Sequence, residues 1–351
     1  NAVTEVENGL QFGTGNIMGG SVFSYHTDAV IAQVIKQVME EKNMTEQMAK
    51  NYVYSSGLTI HSTVDMNIQN RLEEEYTKEK YMIRGREKNS DGTLLNEHSE
   101  SGMAIVDYKT GNVVAVAGGF GEKTSAGWNR ATQMEKQTGS SIKPLADVAP
   151  ALQEKIITAA TVYDDSSTRF GKNYEPKNYN GFKGWINIRS FIRTSQNIPA
   201  VKIMAELTPK KSLEYLQKMG ITSLDTTTDN VLSLALGGMT SGVSPLEMAS
   251  AYGTIANDGV YITPTFYTNV TDANGNVVLT PKQETRQVIS KQNAYIMKTI
   301  IQEPVKSGGT ATYCAIPGME VAAKTGTTDN DYDRWLCGFT PYYAAATWYG
   351  Y

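Results

Sequence analysis

Three short constellations in this 351-residue chain have residue types and spacing suited to chemistry: Ser140-Ser141-Ile142-Lys143, Ser195-Gln196-Asn197 and Lys324-Thr325-Gly326. A serine and a lysine three apart on a helix share one face, one turn apart, so the Lys143 amine can reach Ser140 Oγ and act as its base. Lysine is a base only when neutral. A helix N-terminus, burial and a second cation aimed at the site each lower its pKa. The spacing alone carries little, because with 23 Ser and 23 Lys chance supplies roughly 1.5 such matches. Taken by itself, it reads as an exposed serine cap beside a solvated lysine. Its placement weighs more: it is the single match, it follows the loop Gln137-Thr138-Gly139, and it opens a helix with Pro144 in the tolerated first turn.

The histidines sharpen this reading. His26, His61 and His98 are the only three, and all lie before residue 99. A Ser-His-Asp triad cannot be assembled in the rest of the chain, so a serine nucleophile there needs a lysine-type base. Lys-Thr-Gly occurs twice. Lys109-Thr110-Gly111 falls where a hairpin turn needs glycine, and is assigned no function. Lys324-Thr325-Gly326 ends the apolar run EVAAKTGTT, where a glycine is poorly placed for stability but lets another backbone approach closely. Ser195 and Asn197, near the end of a short helix, offer a hydroxyl and an amide suited to relaying a proton and holding a peptide carbonyl. In isolation they read as a local cap.

The elements that must position these residues follow from periodicity. GMAIVD and VVAVAGG read as two strands joined by a turn containing Gly111 and Asn112. SIKPLADVAPALQEK, IRSFIRTSQN, AVKIMAEL and KKSLEYLQKMG carry helical spacing. Ser244-Pro245-Leu246-Glu247 is a capping box, and Gly259 ends that helix. MEVAAKTG, RWLCGFT and YAAATWYGY return to strands. The expectation is an α+β domain, with an antiparallel sheet of about five strands built from both ends and flanked by helices. Before it, Thr27, Thr45 and Asp65 can cap three helices, with GLTIHSTVD as a short strand between the second and third. The polar stretch GREKNSDGTLLNEHSE marks the junction, giving a small linker domain over residues 1–97 and a catalytic domain over 98–351.

The order SxxK, SxN, KTG is the set shared by penicillin-binding proteins and class A β-lactamases. GWNRATQMEKQTGSSIKP, SFIRTSQNIPAVK, LALGGMTSGVSPLEMASAYGTIANDGVYITP and AAKTGTTDNDYDRWLCGFTPYYAAATWYGY all resemble the transpeptidase domain of class A penicillin-binding proteins. This resemblance covers roughly residues 99–351. GLTIHSTVDMNIQNRLEEE is similar to the segment that links that domain to an upstream glycosyltransferase. The resemblance implies the penicillin-binding/serine β-lactamase-like fold and a D,D-transpeptidase that cross-links peptidoglycan stem peptides through an acyl-enzyme and is blocked by β-lactams. It implies Ser140 as nucleophile, Lys143 as base, Ser195 as proton relay, Asn197 as holder of the acyl amide and Lys324 as a positive charge near the base. Thr325 and Thr327, flanking Gly326, would bind the substrate carboxylate, and the N–H groups of Ser140 and Thr327 would form the oxyanion hole. It further implies an upstream glycosyltransferase domain, a membrane anchor and a place on the extracytoplasmic face of the bacterial cell membrane. The chain stops at YGY, where family members continue into a closing helix.

Composition and rival readings set the remaining bounds. A formal charge of -4 and a pI near 5.6, with no Lys/Arg cluster, leave no footprint for nucleic acid. No run of about 18 apolar residues appears and the opening does not resemble a signal peptide, so the stretch reads as soluble. Cys314 and Cys337 have no nearby histidine and form no CxxC, so no metal site or cofactor is expected. If 319–326 pairs with 333–340, Cys337 falls opposite residue 322, and a disulfide to Cys314 is not the default. A β-lactamase would need a water-activating glutamate between SxN and KTG, and no ExxLN-like stretch is found there. A D,D-carboxypeptidase or a β-lactam sensor without turnover completes the alternatives.

Overall fold

A computed structural model of the chain describes residues 22–85, 92, 98–124 and 127–351. The polar junction around 86–97 lies largely outside the described residues. The strands, in chain order, are β1 (Thr59–Ser62), β2 (Glu100–Asp107), β3 (Asn112–Ala117), β4 (Val162–Asp165), β5 (Gly184–Asn187), β6 (Val260–Ile262), β7 (Tyr267–Thr271), β8 (Val277–Leu279), β9 (Thr285–Gln287), β10 (Ala322–Thr327), β11 (Asp333–Phe339) and β12 (Ala344–Gly350). Five of them form an antiparallel sheet in the order β10-β11-β12-β2-β3, assembled from both ends of the domain as expected.

Alternation decides which face of this sheet is covered. Trp335, Cys337 and Phe339 on β11, and Ala344, Ala346 and Trp348 on β12, point inward and are buried. The helix Pro245–Ala256 packs on that face. Its approach relies on small residues, since a side chain at Gly253 would meet Tyr108 Cβ at 3.0 Å and Ala344 Cβ at 3.6 Å. The Ser244–Glu247 capping box is present, and the helix closes at Asn257, two residues before Gly259. On the opposite face, the helix Met66–Tyr76 covers β3 through Leu72 and Tyr76. Three smaller sheets pair β1-β7-β8, β4-β5 and β6-β9.

Asp65 and Thr45 cap their helices as expected, whereas the first helix runs Tyr25–Lys42 with Ser24 as its cap. Thr27, expected in that role, instead donates its backbone N–H to Ser24 Oγ. The segment carrying Ser140 is helical but composite: a 3-10 turn Gly139–Ile142, a π turn Pro144–Val148, then α-helix Ala149–Gln153. Pro144 explains the irregularity. It has no N–H to give Ser140 O, so the Lys143 N–H takes that carbonyl and tightens the first turn. The Ala149 N–H then reaches back five residues to Pro144 O.

Candidate active site

Ser140 sits at the head of this composite helix, half-buried beside β10. Gly139, just before it, has φ 51, which favours glycine. A Cβ there would fall 2.3 Å from Thr327 O, and one at Gly237 would fall 2.4 Å from the Gly139 backbone. The loop before the serine is therefore clamped between the end of β10 and residues 237–243. Gln137 Nε2 donates to Met239 O at 2.8 Å, Trp335 Nε1 donates to Gln137 O at 2.8 Å, and Lys136 pairs with Val243. Gly326 completes the clamp, since a Cβ there would lie 2.1 Å from Thr138 O. The strand-end glycine thus serves the close approach its position suggested.

Ser195 ends the helix Ile188–Thr194 in a left-handed conformation, φ 59 and ψ 37. A non-glycine residue held there costs about 1 kcal/mol or more, and such strain gathers at functional sites. The conformation turns its two oxygens toward two lysines. Ser195 Oγ accepts from Lys324 Nζ at 2.8 Å, and Ser195 O accepts from Lys143 Nζ at 2.9 Å. Asn197 precedes the helix Ile198–Leu207 but does not cap it with its side chain. Its Oδ1 accepts from Lys143 Nζ at 2.7 Å and its Nδ2 donates to Lys177 O at 2.6 Å. The local-cap reading therefore fails for Asn197.

Both lysine amines are fully buried. Lys143 Nζ also donates to Gln196 O at 2.9 Å, so three acceptors of the Ser195–Asn197 segment surround it. Among the described residues no hydrogen bond joins it to Ser140 Oγ, which the spacing allows it to reach; its three acceptors lie instead on the Ser195–Asn197 segment. Burial, then the neighbouring Lys324 charge, holds Lys143 well below the usual lysine range, against the opposing carboxylates of Asp147 and Asp165. Burial brings Lys324 down to about 7. Thr325 Oγ1 donates to Thr310 Oγ1 at 2.9 Å, and Thr327 is exposed at the strand end. Lys109, from the other Lys-Thr-Gly, is exposed at its hairpin turn.

Two further residues were missed by sequence reasoning. Asp147, in the π turn one turn beyond Lys143, is fully buried, and neither of its carboxyl oxygens has a hydrogen-bond partner. Burial holds its pKa well above the ordinary carboxylate value, with Lys143 opposing. Asn178 accepts the Asn197 N–H at 2.7 Å. Only proximity in the fold reveals either. The cysteine register also needs correction: Cys337 pairs with Lys324, not residue 322, and both cysteines are free. Strand β10 runs on through Thr327, and Thr328 N–H donates to Asp333 O at 3.0 Å to make a tighter turn than expected.

The profile of the penicillin binding protein transpeptidase domain matches residues 102–351. The chain belongs to this family. Penicillin-binding protein 1A of Clostridium acetobutylicum is 33% identical across 100% of the chain, which spans 44% of that protein. Penicillin-binding protein 1F of Bacillus subtilis is 33% identical across 92% of the chain and 43% of its own length. The chain thus spans less than half the length of these curated relatives. Among solved structures, PonA1 from Mycobacterium tuberculosis in complex with penicillin V superposes with TM-score 0.74 at 26% identity, covering 92% of this chain and 84% of that one. Penicillin-binding protein 1A from Haemophilus influenzae, at 20% identity and TM-score 0.72 over 91% of this chain and 65% of that one, shares the fold. The penicillin-binding fold expected from the sequence is therefore the fold of this transpeptidase domain.

Proposed function

We propose that this domain acts as a serine D,D-transpeptidase on peptidoglycan stem peptides. Ser140 Oγ attacks the carbonyl between two terminal D-alanines, the C–N bond breaks, the last D-alanine leaves as an amine, and an ester to Ser140 remains. An amine of a neighbouring stem then displaces Ser140 and forms the cross-link. Lys143 takes the serine proton, Ser195 passes a proton to the departing amine, and Asn197 holds the acyl amide. Lys324 supplies positive charge, Thr325 and Thr327 bind the substrate carboxylate, and the N–H groups of Ser140 and Thr327 receive the oxyanion. One observation carries this reading: Ser195 bridges the two buried lysines, one through Oγ and one through its carbonyl.

A β-lactamase would need a carboxylate free to activate water. The glutamates between the two motifs are engaged elsewhere: Glu206 with Tyr163, Glu214 with Lys211, Glu247 in its capping box, Glu284 with Arg286, and Glu303 with Arg193 and Lys306. Glu320 lies beside Tyr108 and Asn257, beyond the start of β10 and away from Thr327. That arrangement supports acyl transfer to an amine over hydrolysis.

In the whole protein, we place residues 1–97 as the linker to an upstream glycosyltransferase, and the catalytic domain, 98–351, on the extracytoplasmic face of the bacterial membrane. No helix of the described residues is long and apolar enough to cross a membrane. Incubation with a fluorescent penicillin tests the core of the proposal. Labelling of the wild type and loss of labelling in Ser140→Ala are expected, while equal labelling of both would reject it.

A further inference from the structure

A buried carboxylate outside the three motifs reaches the site through a chain of short hydrogen bonds. Asp165, at the end of β4, is fully buried. Its Oδ1 accepts from Asn178 Nδ2 at 2.7 Å, and its Oδ2 accepts from Lys183 N at 2.9 Å. Asn178 Oδ1 in turn accepts the backbone N–H of Asn197 at 2.7 Å, and Lys177 O accepts from Asn197 Nδ2 at 2.6 Å. The remaining polar atom of the Asn197 side chain, Oδ1, meets Lys143 Nζ at 2.7 Å. From the geometry we infer that Asp165 and Asn178 are positioning residues for acylation, holding the Asn197 backbone where Lys177 O takes Nδ2 and leaves Oδ1 facing Lys143.

The reasoning rests on the two ends of an amide being chemically distinct. An asparagine can present either oxygen or nitrogen to a neighbour, and only the oxygen can accept from Lys143. Committing Nδ2 to Lys177 O removes the flipped alternative. The Asn178 side-chain carbonyl holds the Asn197 backbone through its N–H, and the Asn197 side chain makes no cap bond to the helix that follows, which leaves its amide for Lys143. The Asp165 charge strengthens the first bond of the chain, and successive bonds polarise one another. Of residues 171–183, Pro176 alone is buried, and Tyr174 packs partly buried against the core. Asp165 also stands among the groups facing Lys143, with Lys324 from β10 and Asp147 from its own helix.

The inference rests on Lys143 and Asn197 belonging to the acylation machinery, and an exchange of partners tests it. Asp165→Asn leaves an amide hydrogen facing either Asn178 Nδ2 or the Lys183 N–H. Asn178→Asp sets two carboxylates against each other. Combined, the two changes restore every bond: the asparagine at 165 accepts from Lys183 and donates to position 178, whose carboxylate still accepts from Asn197. The second-order rate of acylation by a fluorescent penicillin is expected to fall roughly tenfold to a hundredfold in each single variant, and to recover most of that loss in the exchange variant. As a second measurement, Asn178→Ala should slow the wild type but add little to Asn197→Ala. Single variants that acylate at the wild-type rate would overturn the inference. So would an exchange variant that folds, by its melting temperature, yet is no faster than the singles, or full additivity with Asn197→Ala. Wild-type acylation by Asn197→Ala itself would show that the site assignment, and the relay with it, is wrong.

Discussion

Gly326→Ala separates the two roles a Lys-Thr-Gly sequence can play. The added Cβ would start 2.1 Å from Thr138 O and 2.9 Å from Ser141 Oγ. Carbon–oxygen contacts closer than 3.0 Å are not sustained, so β10 and the Ser140 turn must part by roughly 1 Å, and a displacement of that size costs about a hundredfold in a positioned reaction. The accompanying strain is about 1–3 kcal/mol, which lowers the melting temperature by several degrees. Gly111→Ala is the matched control. Its φ is +78, and a Cβ there would meet Ile262 Cγ2 at 2.7 Å and Thr263 O at 2.8 Å, so it should destabilise comparably. It lies in the β2–β3 turn, away from Ser140. Stopped-flow acylation with a fluorescent penicillin, paired with thermal melting, should show both variants destabilised and Gly326→Ala alone slowed. Gly326→Ala acylating within twofold of wild type, or Gly111→Ala slowed as much, would refute the reasoning.

Lys143→Ala should slow acylation by roughly 10²–10⁴, the scale of a general base; near-normal rates would assign the base elsewhere. Burial brings Lys324 down to about 7 from 10.5, so between those values the unfolded chain holds a proton that the folded chain has released. Wild-type stability relative to Lys324→Met should therefore rise with pH from 7 to 10.5 and stay flat below; urea midpoints whose difference does not change over that window would contradict it. Cys314, partly exposed, should react with a thiol reagent in the native protein, whereas Cys337, fully buried with its thiol pushed up to about 12, should react only on unfolding; native labelling of Cys337 would count against the β10–β11 packing. The penicilloyl adduct should persist for many minutes after free drug is removed, and several turnovers of hydrolysis per second would favour a β-lactamase.

Features encoded by neighbouring residues were legible in the sequence. The apolar run of β10, the strands β11 and β12, the β2–β3 turn and the capping box at Ser244 each depend on a few consecutive side chains, and each is present. Two helix-end details were misplaced because competing caps lie within three residues: Ser24 displaced Thr27, and Asn257 stopped the helix before Gly259. The cysteine register slipped by two because the tight Thr328–Asp333 turn was not visible. The three motifs named the residues that gather, but not what holds them. Lys143 meets acceptors more than 50 positions away, and Asp165 and Asn178 reach it through backbone and amide groups that carry no sequence signature. Asp147 sits at ordinary helical spacing, and only its burial without a partner sets it apart.

The central claim, that Ser140 is the nucleophile, is tested most directly by intact-protein mass spectrometry after incubation with a penicillin, followed by peptide mapping. One penicilloyl group per chain on Ser140, and none on Ser140→Ala with its melting temperature unchanged, is the expected result. A penicilloyl group on any other residue, or on Ser140→Ala, would contradict it.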